Sequence, residues 1–513
     1  MTVASTTANS PSAAARLAAA VAARPLLPAL LVTALITALR ALGTVDSDVA
    51  WQLWIAGRIH SGANLYRDVI ETNPPLWFWM ALPVERAAAL LHLRIEVVLV
   101  AAIGGLVALS LAATERLIGH IAPLRRALLL AFAALTLAAM PWAHVGQREQ
   151  IVLIGTLPYA ALIAARRQGD RVPMLLTGAI GVGAALGFAL KHYFLIIPAL
   201  LELWLIAGGR QRWRPVRPET VTLAAVGAAY AAAIALAEPD FLTEIVPLLR
   251  LAYDAFGAPS LRYFFGPLAV TGFLTLALLS VHARLLARAP FAAALFIACT
   301  AFAGVYFIQA KGWPYHAIPL VGCGSLALAA LLAEANAPAR WLRLFAPAVM
   351  TLPFYVAAQD ALHPSLPAPD VLNAVAGLEE DDPIAFVTTE SAIPWSVTLQ
   401  GGYRYASRYN GYWMMRAILR DERLGTADPQ LAALGARVRA ETVADFTCLP
   451  PRRIIVWRPP PGEDGLDILP YFLRDPQFAE LLSHYRLLSR TSLETYELVS
   501  PLPAPQLPCR RGV

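Results

Sequence analysis

Charge, and lysine above all, is what this 513-residue chain has least of. Only 15% of its residues are charged, and of 41 basic residues just two, Lys191 and Lys311, are lysine. A soluble globular protein carries about 25% charged residues, so a water-soluble enzyme is excluded. Four cysteines are too few for a disulfide-built secreted module of this length. No internal repeat is visible, which argues against a transporter assembled from repeats. The net charge of +6 comes from arginines scattered through short loops, with no basic stripe along one face, so nucleic acid is not the partner. What is abundant is apolar: 58% of the residues are hydrophobic, which excludes a disordered chain and makes the lipid bilayer the first expected partner.

A helix needs roughly 20 mostly apolar residues to cross about 30 Å of hydrocarbon. Such runs predict eleven membrane helices, at about 25–43, 95–119, 126–142, 150–167, 173–190, 193–208, 219–237, 265–283, 290–308, 316–334 and 344–358. Arg16 and Arg24 precede the first run as they would in a signal peptide, but the run is long for one, Arg40 lies near its end, and ten more follow. It reads as a retained span behind a flexible cytoplasmic tail, residues 1–24. With the N-terminus inside, the inner segments hold 15 arginines in about 70 residues, against nine basic residues in about 100 on the outside. Every inner loop contributes to that bias.

Residues 25–359 thus form a transmembrane domain with one long outer loop at 44–94, and residues 360–513 lie outside. That last part is no longer continuously apolar. Short β-type runs (Ile384–Thr389, Arg453–Arg458) alternate with helical stretches at 413–440 and 476–484, and 484–500 reads as a hairpin, together predicting a small α/β domain on the non-cytoplasmic face. Cys448 and Cys509 fall there and are expected to form a disulfide, whereas Cys299 and Cys323 lie within predicted spans as packing thiols.

The outer segments are poor in polar residues, and those present cluster. The long loop opens on Asp46-Ser47-Asp48 directly after the first span. Carboxylates at headgroup level are costly and tend to mark function, although Asp48 could equally serve as the N-cap of a helix over Val49–His60. An amphipathic helix bearing Trp51, Leu53, Trp54, Ile55 and Ile59 runs to Gly62, and then come Tyr66-Arg67-Asp68 and Glu71-Thr72-Asn73-Pro74-Pro75-Leu76.

Over about 44–80 this order resembles the membrane glycosyltransferases of the protein O-mannosyltransferase and lipid A aminoarabinose transferase superfamily. Their pattern is an acidic pair after the first span, an amphipathic helix to Gly, Tyr-x-Asp and a Pro-Pro-Leu turn. The family usually shows adjacent Asp-Glu where this chain has Asp-Ser-Asp; spacing to Trp51 and Gly62 puts Asp48 on the family's Asp, with Asp46 as the alternative. The resemblance implies a type C fold in a bacterial inner membrane, with the C-terminal domain periplasmic. It implies transfer of a sugar from a polyprenyl-phosphate donor to an envelope glycolipid, glycan or protein with inversion at C1. The acidic pair would supply the base, and Tyr66, Asp68, Glu71, Pro74 and Pro75 the substrate loop. One carboxylate suffices as base for a single displacement.

A second acidic position is expected in the next outer loop, His144-Val145-Gly146-Gln147-Arg148-Glu149-Gln150, where Glu149 would hold the acceptor or, with Asp48, a divalent metal. A surface Arg148–Glu149 pair at a helix start is the plainer reading. The departing phosphate calls for cations at the outer helix ends. Lys311, with His316 beside it in the Gln309–His316 segment, is the first candidate, followed by Lys191 and Arg148. Lysines beside aromatics also serve as interfacial anchors, but a chain that uses arginine for nearly every other cation has a reason to place a compact ammonium here. The amphipathic segment 238–264 reads as an interfacial helix, and Ser407-Arg408-Tyr409 with Tyr412-Trp413 as an aromatic, basic patch, either packed or turned to a sugar face. An O-antigen ligase or polymerase would carry its large loop late in the chain, and a transporter would carry charges at mid-span; this sequence does neither.

Overall fold

The computed structural model describes residues 12–208, 213–257, 261–335, 340–363, 367–459, 465–505 and 509. The chain is mostly helical, and all eleven apolar runs lie on helices. Among the described residues five helices are long and apolar enough to cross a membrane: Ile95–Glu115, Pro218–Ala237, Pro290–Gln309, Pro314–Glu334 and Arg340–Leu362. Part of the expected tail is ordered, because Ala13–Ala23 is a helix whose Ala-rich sequence favours that form. From Arg16 it makes an 88° bend with Leu26–Arg40 at the Pro25 break. Residues 1–11 lie outside the described residues.

The Arg148–Gln168 helix runs through the middle of the bundle, buried along almost its whole length. It packs against Ile95–Glu115, Met174–Ala189, Pro290–Gln309 and Ile318–Glu334. Small residues let these backbones approach: a Cβ on Gly155 would meet the Gly183 carbonyl at 3.1 Å.

The loop segments sort to two ends. At one end Arg166 pairs with Glu219 and Arg217 with Glu202, while Arg125 reaches the Ala335 carbonyl. At the other end gather the segments around Asp48, His144, Lys191, Asp240 and Tyr315. The grouping is the one that the arginine count separates.

The long segment 44–94 differs from the expected loop, for it holds two helices, Ser47–His60 and Leu76–Leu91. Trp77, at the start of the second helix, and Leu99, at the start of the next, both touch Gly146. Leu76–Leu91 therefore begins and ends at the same end of the bundle and lies across it.

Above this end sits a five-stranded sheet in the order β2-β1-β3-β5-β4: β1 Pro383–Val387, β2 Arg404–Tyr405, β3 Arg453–Trp457, β4 Tyr485–Arg490 and β5 Leu493–Leu498. β2, β1 and β3 are parallel, and the β4–β5 hairpin closes antiparallel on β3. The helices Met415–Leu424 and Pro429–Cys448 form the crossover from β2 to β3. Cys448 is disulfide-bonded to Cys509, and Cys299 and Cys323 are buried and free. The 238–264 segment is not simply an interfacial helix. Leu248 and Ala252 pack into the core of this layer beside Tyr412, Trp413 and Met414, because its apolar face finds protein there. Trp395 in turn packs on Trp51 and Trp54 at ring-centroid distances of 4.6 and 5.2 Å, which fastens the layer to the Ser47–His60 helix.

Candidate active site

The Ser47–His60 helix starts on Asp46, whose carboxylate accepts the Val49 N–H at 2.9 Å. The N-cap is therefore Asp46 and not Asp48, because the first orphan amides lie within reach of the residue just ahead of the helix. Asp46 also accepts from Gln147 Nε2 at 3.1 Å and lies 3.2 Å from His144 Nδ1. Asp48 stands one residue inside, half-buried, and accepts a hydrogen bond from the Tyr315 hydroxyl at 3.0 Å. Burial first, then the charge on Asp46, push its pKa up from 3.8 to about 6, against the opposing pull of Arg148 and of the Tyr315 hydrogen bond.

The opposite wall is the 144–150 turn. Gly146 has φ +86°, its carbonyl accepts from Trp77 Nε1 at 3.0 Å, and a Cβ there would meet Leu99 at 2.8 Å. Only glycine makes this turn without strain. It brings Arg148 and Glu149 inward at the start of the central helix. The surface-pair reading fails here: Arg148 is 4% exposed and Glu149 fully buried. Among the described residues Arg148 Nε and Nη1 have no hydrogen-bond partner, nor has Glu149 Oε2.

Glu149 Oε1 accepts instead from Lys191 Nζ at 2.5 Å. Lys191 also donates to Gln309 Oε1 at 2.8 Å and lies 3.4 Å from His316 Nε2. Burial lowers the Lys191 pKa, with Glu149 pulling the other way. His316 thus neighbours Lys191 directly, and Lys311 lies within its electrostatic reach. The Lys311 ammonium lies 4.7 Å from the Tyr253 ring centroid. The ring of loops brings residue 191 beside residue 316.

The substrate-loop residues hold their own loop together. Tyr66, at φ +73°, donates from its hydroxyl to the Asn73 carbonyl at 2.7 Å. Asp68 accepts the Asn64 N–H at 2.7 Å. Glu71 accepts from Asn73 N and Nδ2 at 2.7 and 2.6 Å and from Trp51 Nε1, so it ties the loop to the helix that bears Asp48. Pro74 and Pro75 end the turn and open the next helix, where a missing N–H costs nothing.

The donor set does not suit a metal at Asp48 and Glu149. A lysine ammonium already occupies Glu149, and a guanidinium lies within electrostatic reach of Asp48. Among the described residues, no group of three or more His, Cys, Asp or Glu side chains could hold one. Sequence reasoning did not single out Tyr315 and Gln309 as site residues. Their only signal was a place among the aromatics and polar groups flanking Lys311.

Apolar helices, loops sorted to two ends and buried polar side chains at one of them define a multi-pass membrane protein. The crystal structure of ArnT from Cupriavidus metallidurans bound to undecaprenyl phosphate matches with a TM-score of 0.53 at 15% identity, covering 96% of this chain and 99% of that one. The same protein in its apo state matches with a TM-score of 0.54 at 15% identity, covering 93% and 98%. No protein-family model and no curated protein sequence matches the chain. At this identity the likeness is one of fold, and the fold is the one that the 44–80 resemblance implies.

Proposed function

We propose that this protein is an inverting glycosyltransferase that moves a sugar, hexose or pentose, from a polyprenyl-phosphate donor to an envelope acceptor. It crosses a bacterial inner membrane eleven times, with the N-terminus cytoplasmic and the 360–513 layer in the periplasm. One observation carries the reading: Asp48, a half-buried carboxylate with a raised pKa, lies within electrostatic reach of the buried Arg148, whose Nε and Nη1 have no partner among the described residues. The pairing suits the reaction. Asp48 takes the acceptor's hydroxyl proton as that oxygen attacks C1, and the bond from C1 to the phosphate oxygen breaks. Arg148 receives the phosphate as it leaves. Buried donors left unpaired cost about 1–3 kcal/mol each, and a phosphate oxygen satisfies them with charge-assisted bonds. One such donor aimed at developing charge lowers a barrier by about 3–4 kcal/mol. The ArnT structure that holds undecaprenyl phosphate supports a lipid phosphate as the donor's carrier.

Asp46 is the weaker candidate for the base, since three donors already surround its carboxylate. Mass spectrometry of envelope glycolipids and glycans from a deletion strain and its parent names the sugar and its acceptor by the missing mass. Complementation then tests the mechanism. The wild-type gene restores the product and Asp48→Asn does not; product formed by an inserted Asp48→Asn protein refutes the reading.

A further inference from the structure

A pocket of 310 Å³ lies between the loop after the Ser47–His60 helix, the 240–248 segment and the C-terminal layer. That volume is at the small end of ligand sites, with room for a monosaccharide unit. Arg408 and Tyr409, just past β2, form one wall, so the pocket opens at the carboxyl end of the parallel strands, where α/β sheets bind ligands. The Pro429–Cys448 helix adds Leu434, Arg437 and Glu441, and the loop adds Tyr66 and Arg67.

The charges on its walls balance. Arg67 pairs with Asp240 at 2.5 Å, Arg408 with Glu441 at 3.1 Å and Arg437 with Glu244 at 3.4 Å. Three cations facing three anions leave no net charge to attract a phosphate or an ammonium. They present donors and acceptors side by side, which is what a hydroxyl needs, since it both gives and takes a hydrogen bond. Ile70, Ile245, Leu248 and Leu434 supply apolar surface, and Tyr66 and Tyr409 complete the lining. The pocket's loop is tied to the helix that bears Asp48, because Glu71, five residues after Tyr66, bonds Trp51 one turn on from Asp48.

We infer that this pocket binds a neutral sugar unit of the acceptor, which makes the acceptor a glycan or glycolipid and not a bare protein. The inference rests on the glycosyltransferase reading, and its test does not require turnover. Full-length protein in lipid nanodiscs is applied to an array of neutral, uronic, sulfated and phosphorylated oligosaccharides. Wild type and Asp48→Asn are both retained on neutral glycans. Leu434→Trp, which fills the pocket, loses about tenfold or more in affinity, and Arg67→Ala, at the exposed rim, about threefold. Thermal melting checks the fold of each variant, and if Leu434→Trp does not fold, Arg67→Ala decides. The inference is overturned if no glycan is retained above empty nanodiscs, if retention is confined to acidic or phosphorylated glycans, or if folded pocket variants bind as wild type does. Loss of transfer in other Asp48 variants leaves this result untouched, and absence of glycan binding leaves the transfer reaction standing.

Discussion

Replacing Asp48 by asparagine removes a proton acceptor and a buried charge together, and the two effects have opposite signs. The folded protein raises this carboxyl from 3.8 to about 6. At about 1.4 kcal/mol per pH unit, that is a preference of about 3 kcal/mol for the protonated form. A folded-state pKa above the unfolded value means that the native state binds the proton more tightly. The group's contribution to stability is therefore greatest below pH 4 and declines as pH rises through 6. At pH 7.5 the ionised carboxylate costs the fold up to about 3 kcal/mol that an amide does not. The amide also still accepts from Tyr315. Thermal unfolding of wild type and Asp48→Asn in one detergent, at pH 4 and pH 7.5, reads the difference directly. The variant melts higher at pH 7.5, the two converge at pH 4, and the variant transfers no sugar. A variant that is less stable at pH 7.5, or that still transfers, refutes the reasoning.

Three further outcomes follow from the same geometry. Asp46→Asn keeps the helix cap but removes the neighbouring charge, so the acidic limb of the kcat/KM profile moves below pH 6, whereas Tyr315→Phe moves it above; shifts in one direction contradict the assignment. Arg148→Ala lowers kcat by about 10²–10³. Lys311→Ala, which loses a contact to the Tyr253 ring worth about 0.5–2 kcal/mol, changes kcat by less than tenfold in the same steady-state assay. Lys191→Met leaves Glu149 as an unpaired buried charge and destabilises the protein by about 3–5 kcal/mol in denaturant unfolding, and adding Glu149→Gln recovers most of it.

Much of the helical framework was legible because lipid is a demanding solvent. Each apolar run had to be long, continuous and nearly free of charge, and each lies on a helix. The C-terminal strands were legible where a run exceeded four residues, as in Pro383–Val387 and Arg453–Trp457. β2, with two residues, carries no pattern to read. Leu76–Leu91 was missed as a helix because it lies across the bundle end and is too short for a span.

The site divided differently. Asp46 and Asp48 were visible as a pair, but their roles separate only by which one meets the first free amide of the helix. Glu149 and Lys191 were each noticed, yet nothing local says that a lysine 42 positions away closes on that carboxylate. Which loops meet depends on how the helices pack, and helices this uniformly apolar give little sign of their neighbours.

The Ile70 N–H donates to the Arg408 carbonyl at 2.8 Å, a single backbone bond between the loop after Asp48 and the last third of the chain. Translation delivers these two residues far apart in time. A nascent chain with its early helices inserted already carries Asp48, Arg148 and Lys191, but its loop lacks the anchor at 408. Completion of the site therefore waits for the late segment to be made, folded and seated. Reactive groups are made first, and the part that secures their loop is made last. A chain stalled partway holds the chemistry without the architecture that directs it, and full synthesis becomes a condition for activity.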